Sequence, residues 1–243
     1  MKPFRLFTLY FVLLGSCVFA QEKPKEPARS VRFICVEPAE GAANLILAEK
    51  TEKGWEARHR FNVARGFMGS PLSLATRNAA LAIDPSPASS DGARGRSKPI
   101  EPSVLVQPFT TFELPAAGSA SLILIPEAGS AQKYRTLVLE TGNGSFGAGQ
   151  IFVYNLTKGA IGGKLGGKML QLASGMRSII TPGIDQPGEM AQITIGIKVG
   201  SIYKTFFDTR WPAKPDCRRY LLLLPKADGS ATTFVMPEFP PFH

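Results

Sequence analysis

The densest run of chemistry-bearing letters is Thr141–Thr157, TGNGSFGAGQIFVYNLT, which contains Gly142-x-Gly144-x-x-Gly147. That spacing is the dinucleotide-binding fingerprint, in which a glycine turn after a strand opens a helix whose N-terminus holds a pyrophosphate. Tyr134–Glu140 supplies an upstream strand, but the downstream residues Gln150–Asn155 are β-branched and aromatic and offer no helix start. The stretch is therefore expected to be a junction between folded units, and no cofactor is expected.

Other catalytic chemistries fare no better. Nucleophilic catalysis needs a base beside the nucleophile, and His59 is the only internal histidine. It sits among Glu56, Arg58 and Arg60, in an alternation that reads as a solvent-facing strand, and no G-x-S-x-G elbow occurs. With His243 as the other histidine, no histidine-rich metal site can be built. Carboxylate pairs for glycoside hydrolysis would come from Glu37 with Glu40, or from Glu49, Glu52 and Glu56; all are expected to be solvated surface charge. Flat aromatics offer more. Trp55, Trp211, Tyr203, Phe206 and Phe207 are candidates for stacking on a sugar, and Trp211 with Arg210 and Tyr203 forms the candidate ligand set. Core packing is the competing reading for any one ring.

The three cysteines are Cys17, Cys35 and Cys217. In an oxidising compartment Cys35 and Cys217 would form a disulfide between an early and a late strand. Cys35 lies in an apolar run, so a buried free thiol is the alternative. The compartment is argued from residues 1–20: Lys2 and Arg5, an apolar run from Leu6 to Leu14, then Val18-Phe19-Ala20 before the polar Gln21. This is the anatomy of a secretory signal peptide. Leu14-Gly15-Ser16-Cys17 also matches a lipoprotein processing site, which would anchor the chain to a membrane through Cys17. Export to the periplasm or cell surface is expected either way.

The elements that must position these residues are strands. Short β-branched and aromatic segments, punctuated by Gly, Pro, Asn and Asp, recur from Val31–Val36 to Thr232–Met236, and helical periodicity is absent. Gln192–Val199 alternates Ile193, Ile195, Ile197 and Val199 with polar residues or glycine, one face inward. Gly166-Gly167 and Gly200-Ser201 are hairpin signals, the first with φ > 0 available at both central positions. Residues 21–30 read as a flexible leader, and 84–102, DPSPASSDGARGRSKPIEP, as a long polar loop.

Two parts of the chain resemble each other. Phe109–Gly129 and Lys204–Gly229 share an aromatic-threonine strand, a proline turn and an aliphatic strand ending in proline, a charge and glycine. Thr136–Leu139 then matches Thr233–Met236, and residues 31–47 match 150–165. This predicts an all-β chain of two tandem immunoglobulin-like β-sandwich domains, 31–140 and 150–243, joined by 141–149.

Strand, Asn-Leu, Gly-Gly hairpin, strand and Gly, here Ile151–Asn155, Leu156, Lys164–Gly167, Leu170–Leu172 and Gly175, resembles exported β-sandwich proteins of environmental and gut bacteria. The resemblance implies immunoglobulin-like sandwiches in the cell envelope and carries no catalytic residue across.

The chain is basic, with 28 Lys and Arg against 19 Asp and Glu, and the excess is larger after Thr141. That suits an anionic glycan or cell-wall polymer as well as a solvated surface, whereas a nucleic-acid motif is missing. A non-catalytic envelope protein working through protein partners, with self-association among the options, is the first functional expectation. A glycan- or cell-wall-binding module is the second.

Overall fold

The computed structural model describes residues 29–85, 98–100, 104–116, 118–127, 129, 133–142, 144–183, 189–212 and 214–242, and every regular element among them is a strand. The expected signal peptide, Cys17, most of the leader, His243 and residues 86–97 and 101–103 of the polar loop lie outside the described residues.

The first half contains β1 (Arg29–Cys35), β2 (Asn44–Thr51), β3 (Gly54–Asn62), β4 (Phe67–Met68), β5 (Leu72–Leu74), β6 (Asn78–Ile83), β7 (Lys98–Pro99), β8 (Thr110–Glu113), β9 (Ser119–Pro126) and β10 (Tyr134–Glu140). Inner sheet 1 runs β10-β9-β1-β4 with β5 also on β1, and outer sheet 1 runs β7-β3-β2-β6-β8. The second half contains β11 (Ile151–Asn155), β12 (Ile161–Leu165), β13 (Lys168–Leu172), β14 (Arg177–Ile180), β15 (Met190–Val199), β16 (Ile202–Pro212), β17 (Arg218–Pro225) and β18 (Ala231–Glu238). Inner sheet 2 runs β14-β11-β17-β18 and outer sheet 2 runs β13-β12-β15-β16.

These orders correspond, except that β4 and β5 together stand against β14 and β7 has no counterpart among the described residues. β1 and β9 pair in parallel, as do β11 and β17, while β2, β3, β6 and β8 correspond to β12, β13, β15 and β16. The segments that match in sequence occupy equivalent strands. In an immunoglobulin sandwich the first two strands are neighbours in one sheet. Here β1 and β2 lie in opposite sheets, and β1 is central, between β9 and the β4/β5 edge. The strand order therefore departs from the immunoglobulin order expected from the sequence; the register of short strands is set by tertiary pairing that residue spacing does not encode.

Alternation explains the layers. Val31, Phe33 and Cys35 of β1 and Leu122 and Leu124 of β9 meet Leu45, Leu47, Leu81 and Phe61 of outer sheet 1 in one core. Ile151, Val153, Leu221 and Leu223 meet Ile161, Leu165, Ile193 and Ile195 of outer sheet 2 in a second. The opposite faces of the inner sheets pack on each other: Ile34, Ile123 and Leu139 against Phe152, Tyr154, Tyr220 and Leu222, with Phe146 between. Strands covered on both faces read as continuous apolar runs, which is why β9 is SLILI and β17 is LLLL.

Several local expectations change. Arg29 and Ser30, assigned to the leader, belong to β1; Arg29 is buried because its guanidinium donates to Ala75 O, Ala116 O and Pro115 O at 2.6, 2.9 and 3.1 Å. The polar loop is interrupted by β7. At the Gly166-Gly167 hairpin only Gly166 takes a positive φ, +57°, the requirement of a II′-type turn. Cys35 and Cys217 are not bonded: both are free and buried, Cys35 within the first core and Cys217 donating its thiol to Arg218 O. The expected disulfide is not formed: Cys35 points into the core of the first half, whereas Cys217 lies in the turn before β17 of the second.

Candidate functional site

The glycine stretch is a junction. β11 follows it directly, so there is no helix N-terminus to hold a pyrophosphate. The junction is clamped instead. Arg218 Nη1 donates to Phe146 O at 2.9 Å and Thr141 O at 3.3 Å, and its guanidinium lies over the Phe146 and Phe242 rings. The same Arg218 grips Glu238 through Nε (2.6 Å) and Nη2 (2.9 Å). Arg32 of β1 reaches the same carboxylate at 2.5 Å, and Tyr220 OH donates to it at 2.7 Å while bonding Ser121 Oγ at 2.7 Å. Arg218, Tyr220, Ser121 and Glu238 are each at most 2 % exposed. Burial first, then the adjacent Glu238 charge, pushes the Tyr220 phenol up. The network lines neither of the two grooves described below; it ties the two halves together. The sequence shows no signal for it beyond the i, i+2 placement of Arg218 and Tyr220 on one strand face.

His59 is half-buried rather than solvent-facing. Its Nε2 donates to Ser73 O at 3.2 Å, and its Nδ1 is buried without a partner. No nucleophile or acid approaches it among the hydrogen bonds of the described residues, so a triad is not assembled. Glu49, expected to be solvated, is 3 % exposed. Its carboxylate accepts from the backbone N–H of Ala75 and Thr76 and from Arg58 Nε, which makes it the anchor of the β5–β6 turn. Among the described residues no three metal-ligating side chains converge.

The candidate ligand set is split by strand alternation. Trp211 faces the second core, edge-on to Phe207 with centroids 6.1 Å apart and beneath the Arg219 guanidinium at 5.5 Å. It is a packing residue, as the competing reading holds. Arg210 and Tyr203 emerge on the opposite, outer face of outer sheet 2. A polar ladder runs across that face: Arg210 Nε donates to Gln192 Oε1 at 3.0 Å, while Gln192 Nε2 and Thr194 Oγ1 both donate to Asp208 Oδ1.

Beside the ladder the face is hollow. Gly162 of β12 and Gly196 of β15 are cross-strand partners, and with neither carrying a side chain they floor a trough of about 420 Å³. Met169, Gln171, Thr194, Tyr203 and Thr205 form its walls. The Cδ1, Cε1 and Cζ atoms of Tyr203 lie 3.2, 2.8 and 2.9 Å from where a Gly162 Cβ would be. Such near-equal distances mean that the ring lies face-on over the glycine, with Gln171 Nε2 donating to its hydroxyl at 3.3 Å. Tyr203 remains 41 % exposed, so its other face is open. Lone glycines within strands are the signal that would have found this trough, since they mark close approach of another group. A second groove, of about 600 Å³, lies where the halves meet, lined by Arg77, Glu113, Glu140, Phe152 and Arg177.

No protein-family model matches the chain, and no curated protein matches it in sequence.

Proposed function

We propose that this is a non-catalytic, exported protein that acts by protein–protein contact in a periplasmic or surface assembly, with the outer face of outer sheet 2 as its contact surface. The signal-like residues 1–20 support export, with lipid anchoring at Cys17 as the variant form, and the shared strand order of the halves supports a tandem β-sandwich scaffold. One observation carries the contact reading: the Gly162/Gly196 trough is open and apolar, and beside it Met169 is 79 % exposed. Such a patch on an otherwise charged chain marks an interaction surface.

A photo-crosslinking side chain at Met169, compared with one at Glu113 on the other groove, tests this in intact cells. A discrete adduct to one envelope protein from position 169 alone is the expected result; identical patterns from both positions refute it. A specific observation favours a glycan as the second reading: the free face of Tyr203 beside Gln171, Thr194 and Thr205 suits a sugar ring. Glycan-array binding lost on Tyr203→Ala, with no protein adduct, selects that reading, and Trp211→Ala is then the packing control.

A further inference from the structure

The two halves share a strand order, yet among the described residues only one of them has its outer face covered. In the first half the chain's own residues 98–100 and 104–106 run along the edge of β3. Ile100 N–H donates to Arg58 O, Ala57 N–H to Val104 O and Val106 N–H to Trp55 O, each at 2.9 Å, and β7 pairs antiparallel with His59 and Arg60. Ile100 and Val106 then lie on Ile46, Ala57 and Ala82, sealing the face of the sheet.

The equivalent positions follow from register. Ile46 pairs with Ala82 on that face, and Gly162 pairs with Gly196 on the matching face of the second half. β13 stands where β3 stands, at the end next to the strand that crosses from the inner sheet, and among the described residues it pairs only with β12. The second half therefore keeps the receiving edge, carries the Gly162/Gly196 pair on that face, and among the described residues has no covering segment on it. Because Gly166-Gly167 is a two-residue turn, Leu165/Lys168 and Gly163/Leu170 are the hydrogen-bonded pairs of this hairpin, and Met169 and Gln171 turn their backbone N–H and C=O groups to the free edge.

We infer that the edge of β13 accepts an extended strand from a second protein, antiparallel to β13, with an aliphatic or aromatic side chain seated in the Gly162/Gly196 trough. This rests on the protein-contact reading and specifies its mode, strand addition, in which backbone bonds supply affinity and pockets for alternate side chains supply specificity. With no side chain on Gly162 or Gly196 the trough reaches the backbone, so Leu, Met or Phe fits the occupant better than Val. Exposed Lys164 and Lys168 flank the edge and match an acidic residue beside that side chain.

The probe is a fluorescein-labelled peptide of residues 98–107, KPIEPSVLVQ, the segment that occupies the equivalent edge. Added to the full chain, it is expected to give saturable anisotropy and to slow amide hydrogen exchange at Met169 and Gln171. Met169→Pro removes an outward N–H while leaving the bonds to β12 in place, and weakens binding about tenfold; Met176→Leu, outside the trough, leaves it unchanged. The inference is overturned if binding does not saturate by about 1 mM, if Met169→Pro binds like the parent, or if exchange slows elsewhere only. Sedimentation showing a dimer that Met169→Pro dissolves assigns the edge to a second copy and overturns the foreign strand. If the peptide fails but crosslinking from position 169 persists, strand addition falls and the contact surface stands; if both fail, both fall.

Discussion

Replacing Glu238 with Gln tests the clamp that joins the halves. The Glu238 carboxylate is 2 % exposed and accepts four hydrogen bonds: one from Arg32, two from Arg218 and one from Tyr220. It faces two guanidinium groups alone, so the cluster already holds one cation in excess. Removing the negative charge leaves two buried or nearly buried cations facing each other, and the Gln amide turns donors toward donors. Breaking a buried pair in this way costs about 3–5 kcal/mol. For a chain of this size each kcal/mol lowers Tm by about 2–4 °C, so a fall of about 6–20 °C is expected by calorimetry. Because Arg32 belongs to the first half and Glu238 to the second, the single transition is expected to split. Arg218→Met with Glu238→Leu recovers only part of the loss, since Phe146 O and Thr141 O then lose their donor at a cost of about 1–3 kcal/mol. A Glu238→Gln variant within about 0.5 kcal/mol of the parent would refute the reasoning, because that is the range of an ordinary surface change.

Three further outcomes follow from named contacts. Tyr134 OH donates to Ala42 O and accepts from Ala39 N–H, both at 2.8 Å, so Tyr134→Phe strands a buried amide and costs about 1–3 kcal/mol in urea unfolding; an unchanged midpoint counts against it. A Cβ on Gly163 would sit 2.0 Å from Thr194 O and 2.9 Å from Ile195 Cα, so Gly163→Ala forces β12 from β15 and costs about 3 kcal/mol, whereas Gly175→Asn, on an open turn, is near neutral. Burial raises the Cys35 thiol from 9.0 to about 12 and the Tyr134 phenol from 10.0 to about 12. Both groups are held protonated by the fold, so their contribution to stability is complete below about pH 9 and is lost as pH rises toward 12. The urea midpoint should be flat from pH 7 to 9 and then fall, less steeply in Cys35→Ala; a midpoint rising above pH 9 would contradict this. Consistently, Cys35 and Cys217 should alkylate only after denaturation, as read by peptide mass.

The sequence by itself determined the all-β class, the internal repeat and the hairpins at Gly166 and Gly200, because alternation and turn chemistry are local. It also placed a strand rather than a helix after Thr141–Gly149, since the β-branched and aromatic Gln150–Asn155 cannot open a helix. Tertiary structure alone decided which face each candidate took: one residue of offset turns Arg210 outward and Trp211 inward, and nothing local sets that phase in a strand flanked by a bulge. It alone brought Arg32, Ser121, Arg218, Tyr220 and Glu238 together, because charges more than a hundred residues apart meet only through the packing of two inner sheets. The contrast between a sealed face over Ile46 and an open one over Gly162 was likewise invisible in letters. It depends on the chain returning along β3 in one half, and on β13 having no such strand among the described residues of the other.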